Sequence, residues 1–151
     1  MNRQDARSAR TAREPDSGLD DLARQVISCA IEVHKYLGPG WLEALYERAL
    51  CIEMRSRGLD FARQVPTRLH YKGEVIGEGR IDLIVAERLI VELKAIDALA
   101  PAHALQVRSY MKSCGHRLGL LINFNVPVLL RGVVRIVNTP LIPGGPGGPG
   151  G

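Results

Sequence analysis

The 151-residue sequence predicts one α/β domain: a mixed sheet of about four strands flanked by helices, in the order αα-βββ-α-β. Three observations carry this. Two stretches with apolar residues every three and four positions come first, the mark of amphipathic helices. Three β-branched, apolar runs follow between 64 and 96. A proline-started helical stretch then separates the third run from a fourth, and such a crossover makes the flanking strands parallel.

Taken in order, 1–16 carries Arg3, Arg7, Arg10 and Arg13 among acids and almost no apolar residues. It reads as a disordered basic tail ahead of a domain at 17–139. The first helix begins near Ser17, with Asp20 and Asp21 in its first turn and a stripe of Leu19, Leu22, Val26, Ala30, Val33 and Leu37. His34 beside that stripe reads as a packed side chain rather than a ligand. Gly38-Pro39-Gly40 ends this helix as a turn; it lacks the lysine and spacing of a phosphate-binding loop. The second helix runs to about Arg57, stopped by Gly58, with Leu42, Leu45, Ala49 and Ile52 expected inward and Trp41 as a packing residue. Strands are expected at 64–71, at 75–86, with a break at Gly77 or Gly79, and at 89–96. Pro101 opens the third helix, whose expected buried stripe is Ala104, Val107, Met111 and Cys114, and Gly115 closes it. Arg117–Phe124 is the fourth strand, and 132–137 offers a short edge strand. Residues 140–151 repeat Pro and Gly and read as a flexible tail, too short for a collagen helix.

The centre of the chain is Arg80–Lys94. Its two halves are apolar on nearly every position, so both sheet faces should be covered. Asp82, Glu92 and Lys94 break that rule, and burying such charges is costly unless they pair or hold a metal. The plainer alternative is a Glu92–Lys94 ion pair on an edge strand with Asp82 in a turn.

The spacing Asp82…Glu92-Leu93-Lys94 resembles the core motif of the PD-(D/E)XK nuclease superfamily. Gly40-Trp41-Leu42-Glu43-Ala44-Leu45-Tyr46 resembles the G-x-x-E-x-x-Y signature of one branch, the GxxExxY proteins. Gln106-Val107-Arg108-Ser109-Tyr110 is similar to the Q-x-x-x-Y pattern of RecB-like nucleases. The likeness runs from about Leu19 to Asn138 and includes Gly119–Phe124. It implies a restriction-endonuclease-like core and a metal-dependent nuclease acting on DNA with Mg²⁺ or Mn²⁺. The other function class is a catalytically silent member that binds nucleic acid or a protein partner.

Phosphodiester hydrolysis needs an activated water and neutralised phosphate charge, and hard cations take oxygen ligands. The resemblance implies Glu43, Asp82, Glu92 and the Leu93 carbonyl as metal ligands. It makes Lys94, Glu92, Asp82 and Gln106 the catalytic group, with Tyr46 and Tyr110 in support. From sequence physics alone Glu43 reads as a first-turn acid favoured by the helix dipole, and only the resemblance makes it a metal ligand instead. Arg80 and Arg108 are candidate phosphate contacts; His103 lies outside the matched pattern.

Composition sets bounds. Net charge of +4 permits DNA contact, and 5% aromatics argue against broad base-stacking platforms. Cys29, Cys51 and Cys114 form no C-x-x-C, which fits reduced thiols and a cytoplasmic location. No apolar run reaches membrane-spanning length. Oligomeric state stays open, a homodimer included.

The hairpin must satisfy one further condition. Opposed residues share a face, so Asp82 and Glu92 meet only if paired position numbers add to an even sum. That requires a three-residue loop centred on Glu87 or Arg88, or a bulge, rather than a two-residue turn. Ile81, Leu83 and Val85 would then share an apolar face with Leu89, Val91 and Leu93, and Ile84 and Ile90 would line the approach to the site.

Overall fold

A computed structural model describes residues 17–138. The expected tails, 1–16 and 140–151, lie outside the described residues. Within them α1 (Ser17–Leu37) and α2 (Glu43–Ser56) precede β1 (Phe61–Tyr71), β2 (Glu74–Val85) and β3 (Leu89–Lys94). Then come α3 (Pro101–Cys114), β4 (Leu118–Asn123), a 3₁₀ turn (Leu129–Gly132) and β5 (Val133–Val137). Among the described residues these strands form one five-stranded sheet in the order β1-β2-β3-β4-β5. The β3–β4 pair is parallel and the other neighbours are antiparallel. The short edge strand raises the expected four to five.

Both faces of the sheet are covered. Alpha-helices α1 and α2 pack on one face, over Leu83, Val85, Leu89, Val91, Leu93, Leu120 and Ile122. On the other, α3 covers Ile81, Ile90 and Leu121 with Val107 and Met111. Strands β3 and β4 are buried on both sides, which is why they read as unbroken apolar runs. The α1 stripe is as expected, and His34 is packed: its Nε2 lies 2.8 Å from the Val126 carbonyl.

Alpha-helix α2 departs from expectation. Leu42, Leu45 and Ile52 are exposed, whereas Tyr46, Glu47, Leu50, Cys51 and Met54 are buried. Both sets recur at helical spacing, so periodicity alone does not choose between them. The contacts of Tyr46 decide. Its ring stacks on Phe124 (centroids 4.5 Å apart), and its hydroxyl donates to the Gly38 carbonyl at 2.5 Å and accepts from Trp41 N at 3.2 Å. Trp41 is half-exposed rather than packed; its indole N–H caps α1 by donating to Leu37 O at 2.8 Å. In α3, Val107 and Met111 are buried but Cys114 is exposed. Gly58 and Gly115 end their helices with positive φ, as expected.

The β2–β3 loop is Ala86-Glu87-Arg88, three residues, closed by Arg88 N donating to Val85 O at 3.0 Å. Ala86 and Glu87 both take positive φ. Pairing runs Val85↔Leu89, Ile84↔Ile90, Leu83↔Val91, the even register that the chemistry requires.

Two details of that expectation are corrected. Ile81 does not share a face with Leu83 and Val85: it packs under α3, while they pack under α1 and α2. Ile84 and Ile90 also lie under α3 rather than lining the approach to the carboxylates. On β1 the same switch occurs, since Arg63 reaches α2 while Val65 joins the α3 side. Both switches fall at one point. The register runs Arg63↔Leu83 and then Val65↔Ile81, leaving out Gln64 and Asp82, one residue from each strand.

Removing the Tyr46 hydroxyl leaves the Gly38 carbonyl without this partner. Tyr46→Phe should therefore destabilise the domain by about 1–3 kcal/mol, read from urea unfolding midpoints. An unchanged midpoint would mean that the turn before α2 is held by packing alone.

Candidate active site

The site is built where β2 and β3 part. Their ladder ends at Leu83↔Val91, and one step further the side chains of Asp82 and Glu92 take over. Glu92 Oε1 accepts from Asp82 N at 3.0 Å, and Asp82 Oδ2 accepts from Leu93 N at 2.8 Å. Each carboxylate thus satisfies a strand amide that the ladder leaves without a backbone partner. Glu92 is 5% exposed and sits on an inner strand, and Asp82 lies within β2. The edge-strand ion pair with Asp82 in a turn is therefore not what this chain forms.

A neighbouring like charge in a buried setting disfavours ionisation of a carboxyl. Burial first, and the Asp82 charge second, push the Glu92 carboxyl up from 4.5 to about 8; the Asp82 N–H and the Lys94 ammonium pull it back. Glu43, at the start of α2, is also raised, by burial, then Asp82, with Glu47 adding and Lys94 opposing. Asp82 and Lys94 thus act on both Glu43 and Glu92. Among the described residues, however, no three His, Cys, Asp or Glu side chains form a ready-made metal cage. The structure brings Asp82 and Glu92 together directly and leaves Glu43 beside them.

Lys94 closes β3, and its backbone is pinned from β4. Its carbonyl accepts from Phe124 N at 2.9 Å, and buried Asn123 holds Ile96 at both N and O (3.0 and 2.9 Å). Phe124 carries Tyr46 on its face, so the turn that starts α2 and the end of β3 are tied through one aromatic stack. Tyr46 thus ties the turn ahead of Glu43 to the strand end that carries Lys94.

Gln106 and Tyr110 stand apart. Gln106 is exposed, and its Nε2 donates to Tyr110 OH at 3.4 Å. Among the described residues no hydrogen bond joins it to Asp82, Glu92 or Lys94. The outer end of the Tyr110 ring lies against Gly79, where a Cβ would stand 2.7 Å from it, so a larger residue there would push the ring aside. Arg80 is exposed, with Nη1 donating to Gln64 O at 3.4 Å. Arg108 is exposed and donates from Nη1 to Val137 O at 2.7 Å on β5. His103 caps α3 through Ala100 N.

Two residues escaped the sequence reading. Glu47 is buried, with Arg63 Nε and Nη2 on its Oε2 at 3.0 and 2.9 Å. Gln64 Nε2 donates to Glu47 Oε1 at 2.9 Å and to Asp82 Oδ1 at 3.4 Å. The available signal was the spacing of Glu43 and Glu47, four apart on one helix face. A cleft of about 470 Å³ lined by Asp60, Phe61, Val65, Ile84, Glu87 and His116 lies toward the β2–β3 loop and includes none of the motif residues.

A family model of the PD-(D/E)XK nuclease superfamily matches residues 20–136, so the chain belongs to that superfamily. No curated protein matches it in sequence. Among solved structures, the crystal structure of SSO0001 aligns at 19% identity and a TM-score of 0.46 over 67% of this chain. The chain spans about half (52%) of the length of that protein.

The raised Glu92 pKa fixes the sign of a pH effect. In the absence of metal the folded state holds the Glu92 proton between its ordinary 4.5 and about 8, while the unfolded state has lost it. This group's contribution to stability is therefore complete below the lower value and is lost as pH rises through the window. Thermal unfolding in EDTA should show a transition that falls from about pH 5 to pH 8. Glu92→Gln should flatten that slope and raise the transition at the alkaline end. Parallel profiles for the two proteins would remove Glu92 as the source.

Proposed function

We propose that this chain is a metal-dependent nuclease that hydrolyses phosphodiester bonds of DNA, a cytoplasmic member of the GxxExxY branch. The observation that carries this reading is the Asp82–Glu92 pair, two adjoining carboxylates at the end of a buried ladder with Lys94 two residues on. The donor set fits a divalent cation. Two neighbouring carboxylates with one raised far above its ordinary pKa lack positive charge, and hard oxygen ligands suit Mg²⁺ or Mn²⁺. Asp82, Glu92 and the Leu93 carbonyl would hold it, with Glu43 completing the set. When bound, such an ion neutralises phosphate charge and makes water acidic enough to attack.

The chain's own groups have distinct parts. Lys94 orients the attacking water or steadies the phosphate. Strands β1 and β2 run on beyond β3 as a two-stranded ribbon closed by Lys72-Gly73. Exposed Arg68, Lys72 and Arg80 lie along it, and a ribbon of this kind fits the major groove of duplex DNA. Arg80 is two residues from Asp82 and is the nearest candidate to a phosphate beside the scissile one. Gln106 and Tyr110 serve at the rim.

Purified protein incubated with linear, circular and single-stranded DNA, in Mg²⁺ or Mn²⁺ against EDTA, tests the reading. Cleavage should require the metal and should be lost in Lys94→Ala and Glu92→Ala while both variants keep a cooperative thermal transition. Binding without cleavage in every arm would favour a silent nuclease-fold protein, and loss of the thermal transition in the variants would mark the trio as structural. Arg80→Ala should lower DNA affinity and reduce the slope of log affinity against log salt by about 0.7–0.9, the loss of one phosphate contact. An unchanged slope would exclude Arg80 from the interface.

A further inference from the structure

Gln64 is the least ordinary residue of the sheet. It sits inside β1 with φ of 49°, a left-handed conformation that strands do not use and that non-glycine residues seldom adopt. Such a conformation is strained for a residue with a Cβ and persists only where surrounding contacts enforce it. Its place in the ladder is equally unusual. Gln64 and Asp82 are omitted as a pair while the register on either side of them is unchanged, unlike the shift between Leu69 and His70 further along, and here both strands switch faces.

The kink delivers the carboxamide to two carboxylates. Nε2 has two hydrogens, and its two contacts are Glu47 Oε1 at 2.9 Å and Asp82 Oδ1 at 3.4 Å. The reverse orientation would turn the amide oxygen toward both anions, so the network selects this one. Arg63 neutralises Glu47 from the other side through Oε2, so Glu47 is a charge-balanced anchor rather than a further free acid. Asp82 is then held at both oxygens: Oδ2 by Leu93 N and Oδ1 by Gln64. Each oxygen retains a lone pair.

We propose that Gln64 is a positioning residue: the kinked strand and the Glu47–Arg63 pair behind it aim the Asp82 carboxylate toward a divalent cation shared with Glu92. This rests on the metal-dependent reading given above and adds the element that orients its aspartate. A carboxylate ligand fixed by outer hydrogen bonds binds metal better than a loose one, and removing such a partner lowers metal affinity by about 10- to 100-fold.

Gln64→Gly separates positioning from structure, because glycine accepts positive φ without strain while removing the carboxamide. Its thermal transition in EDTA should be no lower than that of the parent protein. Its Mn²⁺ affinity, measured by titration calorimetry, should fall by about 10- to 100-fold. Should the glycine variant fail to fold, Gln64→Asn, which also tolerates this φ but has one methylene fewer with which to span both carboxylates, carries the same comparison. Parent protein that binds Mn²⁺ beside a variant that binds it equally well would overturn this inference alone. A variant that loses thermal stability but not Mn²⁺ affinity would make Gln64 structural, which also overturns it. Parent protein that takes up no Mn²⁺ would overturn the metal reading and this inference together.

Discussion

The exchange between Asp82 and Glu92 organises the rest of the structure. Two antiparallel strands cannot separate inside a folded protein without leaving amides unsatisfied, and buried amides left so cost about 1–3 kcal/mol each. Here the separation is filled by two acidic side chains, each accepting from an amide that the ladder no longer serves. The same atoms that complete the backbone hydrogen bonding therefore create a concentrated negative site. Stability and chemistry are coupled at one place, and the cost appears as a Glu92 carboxyl raised to about 8.

Everything near this point works to control that charge. Lys94 stands at the end of β3, and Asn123 and Phe124 fix the backbone beyond it. On the opposite side, Glu47 carries its own counter-ion, Arg63, so it anchors Gln64 while the guanidinium offsets its charge. The left-handed Gln64 and the omitted Gln64–Asp82 step let one sheet face two helical layers with a different set of side chains on either side of the step. Strain at a strand residue, paired with a neighbour whose carboxylate it touches, is the pattern expected of a functional site.

The superfamily match and the local geometry support each other without being the same argument. The match covers 20–136 and rests on the chain as a whole. The geometry rests on a handful of atoms around the β2–β3 divergence.

Much of this was legible in the sequence, for physical reasons. Period 3.6 in α1 and unbroken apolar β3 and β4 required helices on both sides of a sheet, and Pro101 and Gly115 marked the limits of α3. The need to bring Asp82 and Glu92 together restricted the hairpin to an even register, which the Ala86–Arg88 loop provides. What periodicity could not choose was the inward face of α2, where two apolar stripes compete and the Tyr46–Phe124 stack, a contact distant in sequence, selects one. Nor could it place Glu47 and Gln64. A helical acid and a strand glutamine seventeen residues apart read as solvated until the fold sets them 2.9 Å from each other. Local pattern determined the elements and the acids they carry; only tertiary packing decided which polar side chains would be forced to answer that charge, because burial and long-range contact are properties of the assembled sheet and not of any segment.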